Sequence, residues 1–241
     1  MFHHRRSDAD PGLIPDSDPP TAGAVASPPR PDPRRRLLDG MIETVALRGY
    51  DRTTVSRVLS SANAQEAVFS EHFRDKHDCF MQAIDDLIGR VESAALEQFE
   101  RDAPWPERVR LALESLLWAL MSHPDGARVL LVEILCAGPE ACERQRSALA
   151  LFASLIERGR PGSPDAEHLP AQTSEAIVGG IVSIVHRRVL QGDTAVLPSL
   201  HADLTYFALL PYLDHERALI LAGLREPTST ASRAGTGSFR R

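Results

Sequence analysis

The chain has 241 residues, of which 43% are hydrophobic and only 5% aromatic, and its net charge is −6. That length allows one large domain or two small ones around a sizeable core, and sparse aromatics beside abundant Leu, Ala, Val and Ile suit packed helices. An acidic balance excludes a protein that coats nucleic acid indiscriminately, no apolar run reaches the roughly 18 residues of a membrane span, and the opening MFHHRRSDAD lacks the apolar segment of a secretory signal. Cys79, Cys136 and Cys142 lack C-x-x-C spacing and read as reduced thiols of a soluble, cytoplasmic protein.

Residues 1–32 are crowded with proline from Pro11 to Pro31 and show no period, so a disordered tail is expected there. Pro33 suits a first helical turn. Arg34, Arg35 and Arg36 then oppose the helix macrodipole, by about 0.3–1 kcal/mol each when exposed. Phosphate would compensate them, and plain solvation is the alternative. Leu37, Leu38, Met41, Ile42, Val45 and Ala46 follow at the spacing of a core-facing stripe. Gly49 ends this helix in a conformation that side chains resist, and Tyr50 folds back onto it.

Thr53 and Thr54 offer hydroxyls to cap a second helix whose inner face is Val55, Val58, Leu59 and Ala62. Asn63 suits a left-handed turn. A third helix is expected from Gln65 to Glu71, with Val68 and Phe69 inward and Gln65, Glu66, Ala67 and Ser70 outward. Three short helices in this order make a helix-turn-helix, whose last helix enters the major groove of DNA. From Arg30 to Lys76 nine basic residues face seven acidic ones, whereas the chain after Lys76 is net negative. A mildly basic module on an acidic body orients towards DNA.

Gly49-Tyr50, Thr53-Thr54-Val55, Phe69, His72-Phe73 and Lys76 stand at the spacing found in the DNA-binding domain of TetR-family transcriptional regulators, which this stretch resembles. PERVR, LLVEILCAGPEA and LLPYL resemble later helices of one branch of that family. The resemblance implies an N-terminal DNA-binding domain at 33–76 and a larger helical ligand-binding and dimerisation domain at 77–224, an all-α chain. It departs from the family at Asn63, where glycine is usual, at Gln65, where Ser or Thr is usual, and at Ser70, where a tyrosine reaches phosphate. The candidate DNA-contacting residues are Arg34, Arg35, Arg36, Thr54, Gln65, Glu66, Ala67, Ser70, His72 and Lys76. Gln65 can pair with adenine and Glu66 can accept from cytosine, although Glu66 and Glu71 also repel phosphate.

Asp75 is expected to cap a long helix running from Lys76 to about Arg101, roughly 38 Å at 1.5 Å per residue. Further helices are expected after Pro104-Trp105-Pro106, from Pro124 to Ala137, from Glu140 to Arg158, after a Thr173 or Ser174 cap, and from Leu197 to Leu213. Glu133 lies in so apolar a run that it needs a partner, an arginine such as Arg128 or Arg110, with a bound ligand as the alternative. Gly179-Gly180 inside a helix costs about 1 kcal/mol per glycine and suggests close approach of another helix. A final disordered tail is expected after Arg225.

The resemblance implies an apolar effector pocket, with Leu117, Trp118, Met121, Leu131 and Leu135 as candidate walls. It also implies a homodimer, with Ile181, Ile184, Leu200, Leu204 and Phe207 at the interface. For each of these residues plain core packing is the alternative. The sequence holds no Walker A loop, dinucleotide fingerprint, nucleophile elbow or H-E-x-x-H. No enzyme activity, cofactor, metal or membrane partner is therefore expected. The expected function is a repressor that binds a palindromic DNA operator as a dimer and leaves it when a small apolar effector binds. A helical dimer that binds ligand or protein and has lost DNA is the competing expectation.

Overall fold

The first helix of the described residues starts on Pro33. The computed structural model describes residues 32–226, so the expected tails lie outside it except for their innermost residues. Helix α1 (Pro33–Arg48) starts on its proline and buries Leu37, Leu38, Met41 and Val45 almost completely. It closes at Gly49, whose φ of 85° is a left-handed conformation, and the Gly49 amide donates to the Val45 carbonyl at 2.8 Å. Tyr50 then turns its ring onto Phe80, 4.5 Å away.

Helix α2 (Val55–Ala62) is capped by Thr54, whose hydroxyl accepts from the Arg57 amide at 3.4 Å. Thr53 takes no part in the cap, because its hydroxyl donates back to the Gly49 carbonyl at 2.9 Å. Gly40 lets α2 lie against α1, because a Cβ there would stand 3.0 Å from the Ala62 amide nitrogen and 3.1 Å from the Val58 carbonyl oxygen. Asn63, with φ 46° and ψ 53°, makes the left-handed turn. Helix α3 (Glu66–His72) starts one residue later than expected, with Gln65 as its extended N-cap. Helix α4 (Lys76–Phe99) is capped by Asp75, which accepts from the Asp78 amide at 2.8 Å. Its 24 residues span about 36 Å.

Helices α5 (Trp105–Ser122), α6 (Pro124–Leu131), α7 (Pro139–Glu157), α8 (Thr173–Leu190), α9 (His201–Leu209) and α10 (His215–Leu221) complete the described residues, which contain no strand. Three expectations fail. The helix from Pro124 to Ala137 breaks at Val132, and Glu133–Cys136 form a 3-10 turn. The break lets buried Glu133 turn back to Arg128, at 3.2 Å, and satisfy its charge. The expected helix from Leu197 to Leu213 divides into a 3-10 segment, Thr194–Leu200, and α9. Pro198 and Pro211 lack the amide protons that a continuous helix would use. Neither Thr173 nor Ser174 caps α8, because the Thr173 hydroxyl donates to the Pro170 carbonyl at 2.8 Å and Ser174 is buried. Helix α10, capped by Asp214 through the Arg217 amide at 2.8 Å, has no counterpart among the expected elements.

The buried side chains form three clusters. One joins α1, α2 and α3 to the first half of α4, to α6 and to Ile134, so this core runs unbroken across Lys76. A second gathers the end of α4 with parts of α5, α7, α8, α9 and α10. The third lies among α5, α6, α8, the 3-10 segment and α9. Gly180 lies under the Phe207 ring, which a Cβ would meet at 3.0 Å, so α9 supplies the close approach expected there; Gly179 has nothing within 4 Å.

Tyr212 anchors the second cluster at 0% exposure, edge-on to Trp105, and its hydroxyl donates to Glu157 at 3.4 Å. Burial, and secondarily the Glu157 charge, push its phenol up to about 12. A folded value above the ordinary value of about 10 favours the protonated fold. The corresponding stability is complete below pH 10 and is lost as pH rises towards 12. Tyr212→Phe should therefore flatten the fall of Tm across that alkaline range, measured by thermal melts in parallel with the unsubstituted chain. Parallel slopes would show that the phenol is not desolvated.

Candidate nucleic-acid interface and internal cavity

The short helix α3 owes its orientation to two aromatic rings. Phe69 and Phe73, 4% and 3% exposed with centroids 5.4 Å apart, pin one face into the first core cluster. Helical periodicity then turns Glu66, Ala67, Ser70 and Glu71 to solvent, and Gln65 is exposed at the helix start with no capping bond to occupy its amide. Ser70 is less free than it looks, since its hydroxyl donates to the Glu66 carbonyl at 3.1 Å. His72 is half-buried beside Phe73, their ring centroids 6.2 Å apart.

The expected cationic contacts divide by their partners. Arg34 is exposed, donates to Gln82 at 2.7 Å and lies 6.0 Å over the Phe73 ring. Arg35 is held by Asp39 at 3.0 Å and Asp86 at 3.1 Å, so its charge is already neutralised locally. Arg36 is half-buried, and its Nε lacks a hydrogen-bond partner. Lys76 faces inward: its ammonium donates to the Tyr50 carbonyl at 3.1 Å and stands 4.1 Å over the Tyr50 ring. It braces the turn after α1.

Arg48, Arg52 and Arg57 are exposed and, with Leu47, Asp51 and Thr54, line a shallow depression at the start of α2, three cations to one carboxylate. The Arg57 guanidinium also donates to the Arg52 carbonyl. Sequence reasoning misses these arginines because it takes RGYDRTTV as one motif; their spacing around Thr54 is the signal that could have found them. Cations beside a helix N-terminus concentrate positive potential where backbone amides already point outward.

A second feature lies deeper. A cavity of about 160 Å3 lies among α4, α5, α6, α7 and α8 together with Ile134. Its walls are apolar apart from Glu92 and Gln145. On α4 the facing residues are Ile88, Val91, Glu92, Ala95 and Phe99, one helical stripe. Leu117 and Leu131 line it, whereas Trp118, Met121 and Leu135 do not. Trp118, 52% exposed, lies about 100° round the helix from Leu117. Met121 falls beyond the last wall residue of α5, Leu120. Leu135 is 54% exposed because the 3-10 turn swings it outward.

The cavity and the α3 module share walls. Leu130 and Ile134 line the cavity and also belong to the first core cluster, against which Ile88 and Val91 pack. Glu133 reaches the turn after α1, with one carboxylate oxygen 3.4 Å from where a Cβ on Gly49 would stand. On the far side, Phe207, Leu210 and Leu190 are exposed by 43%, 38% and 52%. Ile181, Ile184 and Leu200 are half-buried, and Ile181 also faces the cavity. Leu204, at 2%, packs wholly inside the third cluster. Among the described residues no helix is long and apolar enough to cross a membrane, and no group of three His, Cys, Asp or Glu could hold a metal.

Comparison with known proteins agrees with this geometry. Residues 37–83 match the model of bacterial regulatory proteins of the tetR family. The chain is 26% identical over 185 residues to the uncharacterised HTH-type transcriptional regulator YdgC of Bacillus subtilis, covering 74% of this chain and 93% of that protein. Its fold is similar to the fatty acid degradation regulator FadR of Bacillus halodurans, with TM-score 0.63, 18% identity, and 73% and 96% of the two chains covered. It is similar also to FadR of Bacillus subtilis in complex with stearoyl-CoA, with TM-score 0.64, 17% identity, and 73% and 98% covered.

Proposed function

We propose, for a chain whose residues 37–83 carry the DNA-binding domain of the tetR family of bacterial regulatory proteins, a repressor that binds a palindromic operator as a homodimer and is released by an apolar ligand. The observation that carries this reading is the joint use of Leu130 and Ile134 as cavity wall and as core beneath α1–α3. A ligand that spreads those two side chains moves the packing under the DNA-facing helices. Its differential affinity for the displaced arrangement shifts the population away from the DNA-binding one. The stearoyl-CoA in the similar FadR fold supports a ligand with a hydrocarbon portion.

On DNA, Gln65, Glu66 and Ala67 reach base edges from the start of α3, and Thr54 with Arg52 and Arg57 meets phosphate at the start of α2. Arg34 is placed to add a backbone contact, whereas Arg35 and Lys76 hold the module together. The exposed Phe207 on α9 and Leu210 just after it, with the open surface at Gly179, form the dimer face. Two-fold symmetry would set the two α3 helices about 34–36 Å apart, or a multiple of that distance.

Exposed Glu66 and Glu71, with Ser70 bonded to its own helix, favour a second reading, a ligand-binding dimer without DNA affinity. Selection of binding duplexes from a random pool separates the two. Enrichment of a palindrome supports the repressor. Gln65→Ala should then cost about 1–3 kcal/mol at one base position of each half-site and relax discrimination there. A pool that shows no enrichment leaves only the ligand-binding dimer.

A further inference from the structure

The cavity offers an occupant hydrocarbon and little else. Leu113, Leu117, Leu149, Phe152 and Val182 form a wall of hydrocarbon from α5, α7 and α8. Two wall residues have polar side chains, and neither turns them to an occupant. The Gln145 amide donates to the Leu130 carbonyl at 2.9 Å. Glu92 is half-buried with a carboxylate that is not shut off from solvent, so its stem, not its charge, borders the space. Among the described residues no Lys, Arg or His lines the cavity. Three arginines of the surrounding helices are committed elsewhere: Arg144 to Asp85 at 2.8 Å, Arg110 to Glu107 at 2.6 Å and Arg128 to Glu133 at 3.2 Å.

An ionised group drawn from water into such a space meets no counter-charge, and it enters only after it has become neutral. Water is no better placed, because it needs about two to four polar partners to stay. A neutral hydrocarbon gives up no hydrogen bonds on entry and removes its own apolar surface from water.

We infer that the cavity takes an uncharged lipophile, a hydrocarbon, alcohol or ester, and selects against the same chain when it ends in a carboxylate or an ammonium. This deepens the proposed function and rests on its reading of the cavity as the ligand site.

Titration calorimetry of the full chain with decanol, decanoate and decylamine at pH 6, 7 and 8 tests this, because the three probes share one chain length and differ in charge. At pH 7 decanol should bind at least about tenfold more tightly than either ion, and its affinity should not change with pH. Decanoate affinity should rise about tenfold for each unit of falling pH, because only the scarce neutral acid enters, and decylamine affinity about tenfold for each unit of rising pH. Decanoyl-CoA at pH 7 should bind no more tightly than decanol. In Ala148→Phe, whose ring enters the space, decanol affinity should fall by more than about tenfold. Either ion matching decanol at pH 7, measurable ion affinities that stay flat across pH, or decanoyl-CoA outbinding decanol overturns the inference while leaving the apolar ligand site intact. If decanol fails to bind, or binds Ala148→Phe equally well, the cavity is not the ligand site, and both readings fall together.

Discussion

Phe80→Ala should destabilise the protein by about 3–5 kcal/mol, a large share of the stability of an ordinary domain. Phe80 has 0% exposure and sits in the first turns of α4, where it packs under the Tyr50 ring. Truncation removes the apolar contact and leaves a void that the surrounding helices close only in part. The position is also structural in a second sense. Tyr50, Lys76 and Gly49 define the turn between α1 and α2, and that turn sets where Thr54 and its neighbouring arginines stand. DNA binding should therefore weaken at temperatures where the variant is still folded. Denaturant unfolding measures the first effect and operator affinity the second. Leu47→Ala, at a side chain 75% exposed on the same α1, should stay within about 0.5 kcal/mol. A loss near 1 kcal/mol for Phe80→Ala would mean that α4 and the turn do not share a core.

If the proposed function holds, Ala148→Phe should bind its operator and no longer respond to ligand. Ala148 is 8% exposed on α7 and faces the cavity. A larger side chain in a close-packed core usually costs about 1–3 kcal/mol. Here empty space receives the ring, so the net change should be smaller. Ligand affinity should fall by more than about tenfold, because one buried aromatic and the hydrocarbon compete for the same volume. A ring that fits the existing space leaves Leu130 and Ile134 in place, and operator affinity without ligand should then be unchanged. Calorimetry with decanol and operator binding with and without it measure both. A variant that remains fully responsive would place the ligand elsewhere.

Much of the fold is legible in the sequence because local chemistry sets it. The Gly49 stop, the Thr54 and Asp75 caps, the left-handed Asn63 and the inward Phe69 and Phe73 each depend on a few neighbouring residues. The failures share a different cause. Helical period says that Leu117 and Trp118 face different ways, but it does not say which of them faces an internal space. The VLLVEIL run reads as one buried helix until Glu133 is known to turn back to Arg128. The long final helix fails at Pro198 and Pro211, two signals present in the sequence that the apolar pattern outweighs. Lys76 reads as a phosphate ligand, and only the folded chain brings the Tyr50 carbonyl to its ammonium.

If the exposed face of α3 and the cations at the start of α2 act as one surface, this protein reads DNA by both base and phosphate. Fluorescence anisotropy should measure its affinity for a duplex from the region upstream of its own gene, and for a shuffled duplex of equal composition, across a range of salt. The upstream duplex should bind more tightly at every salt concentration, and log affinity should fall linearly with log salt at about −0.9 per phosphate contacted. Equal affinity for the two duplexes, or an affinity that salt leaves unchanged, would contradict it.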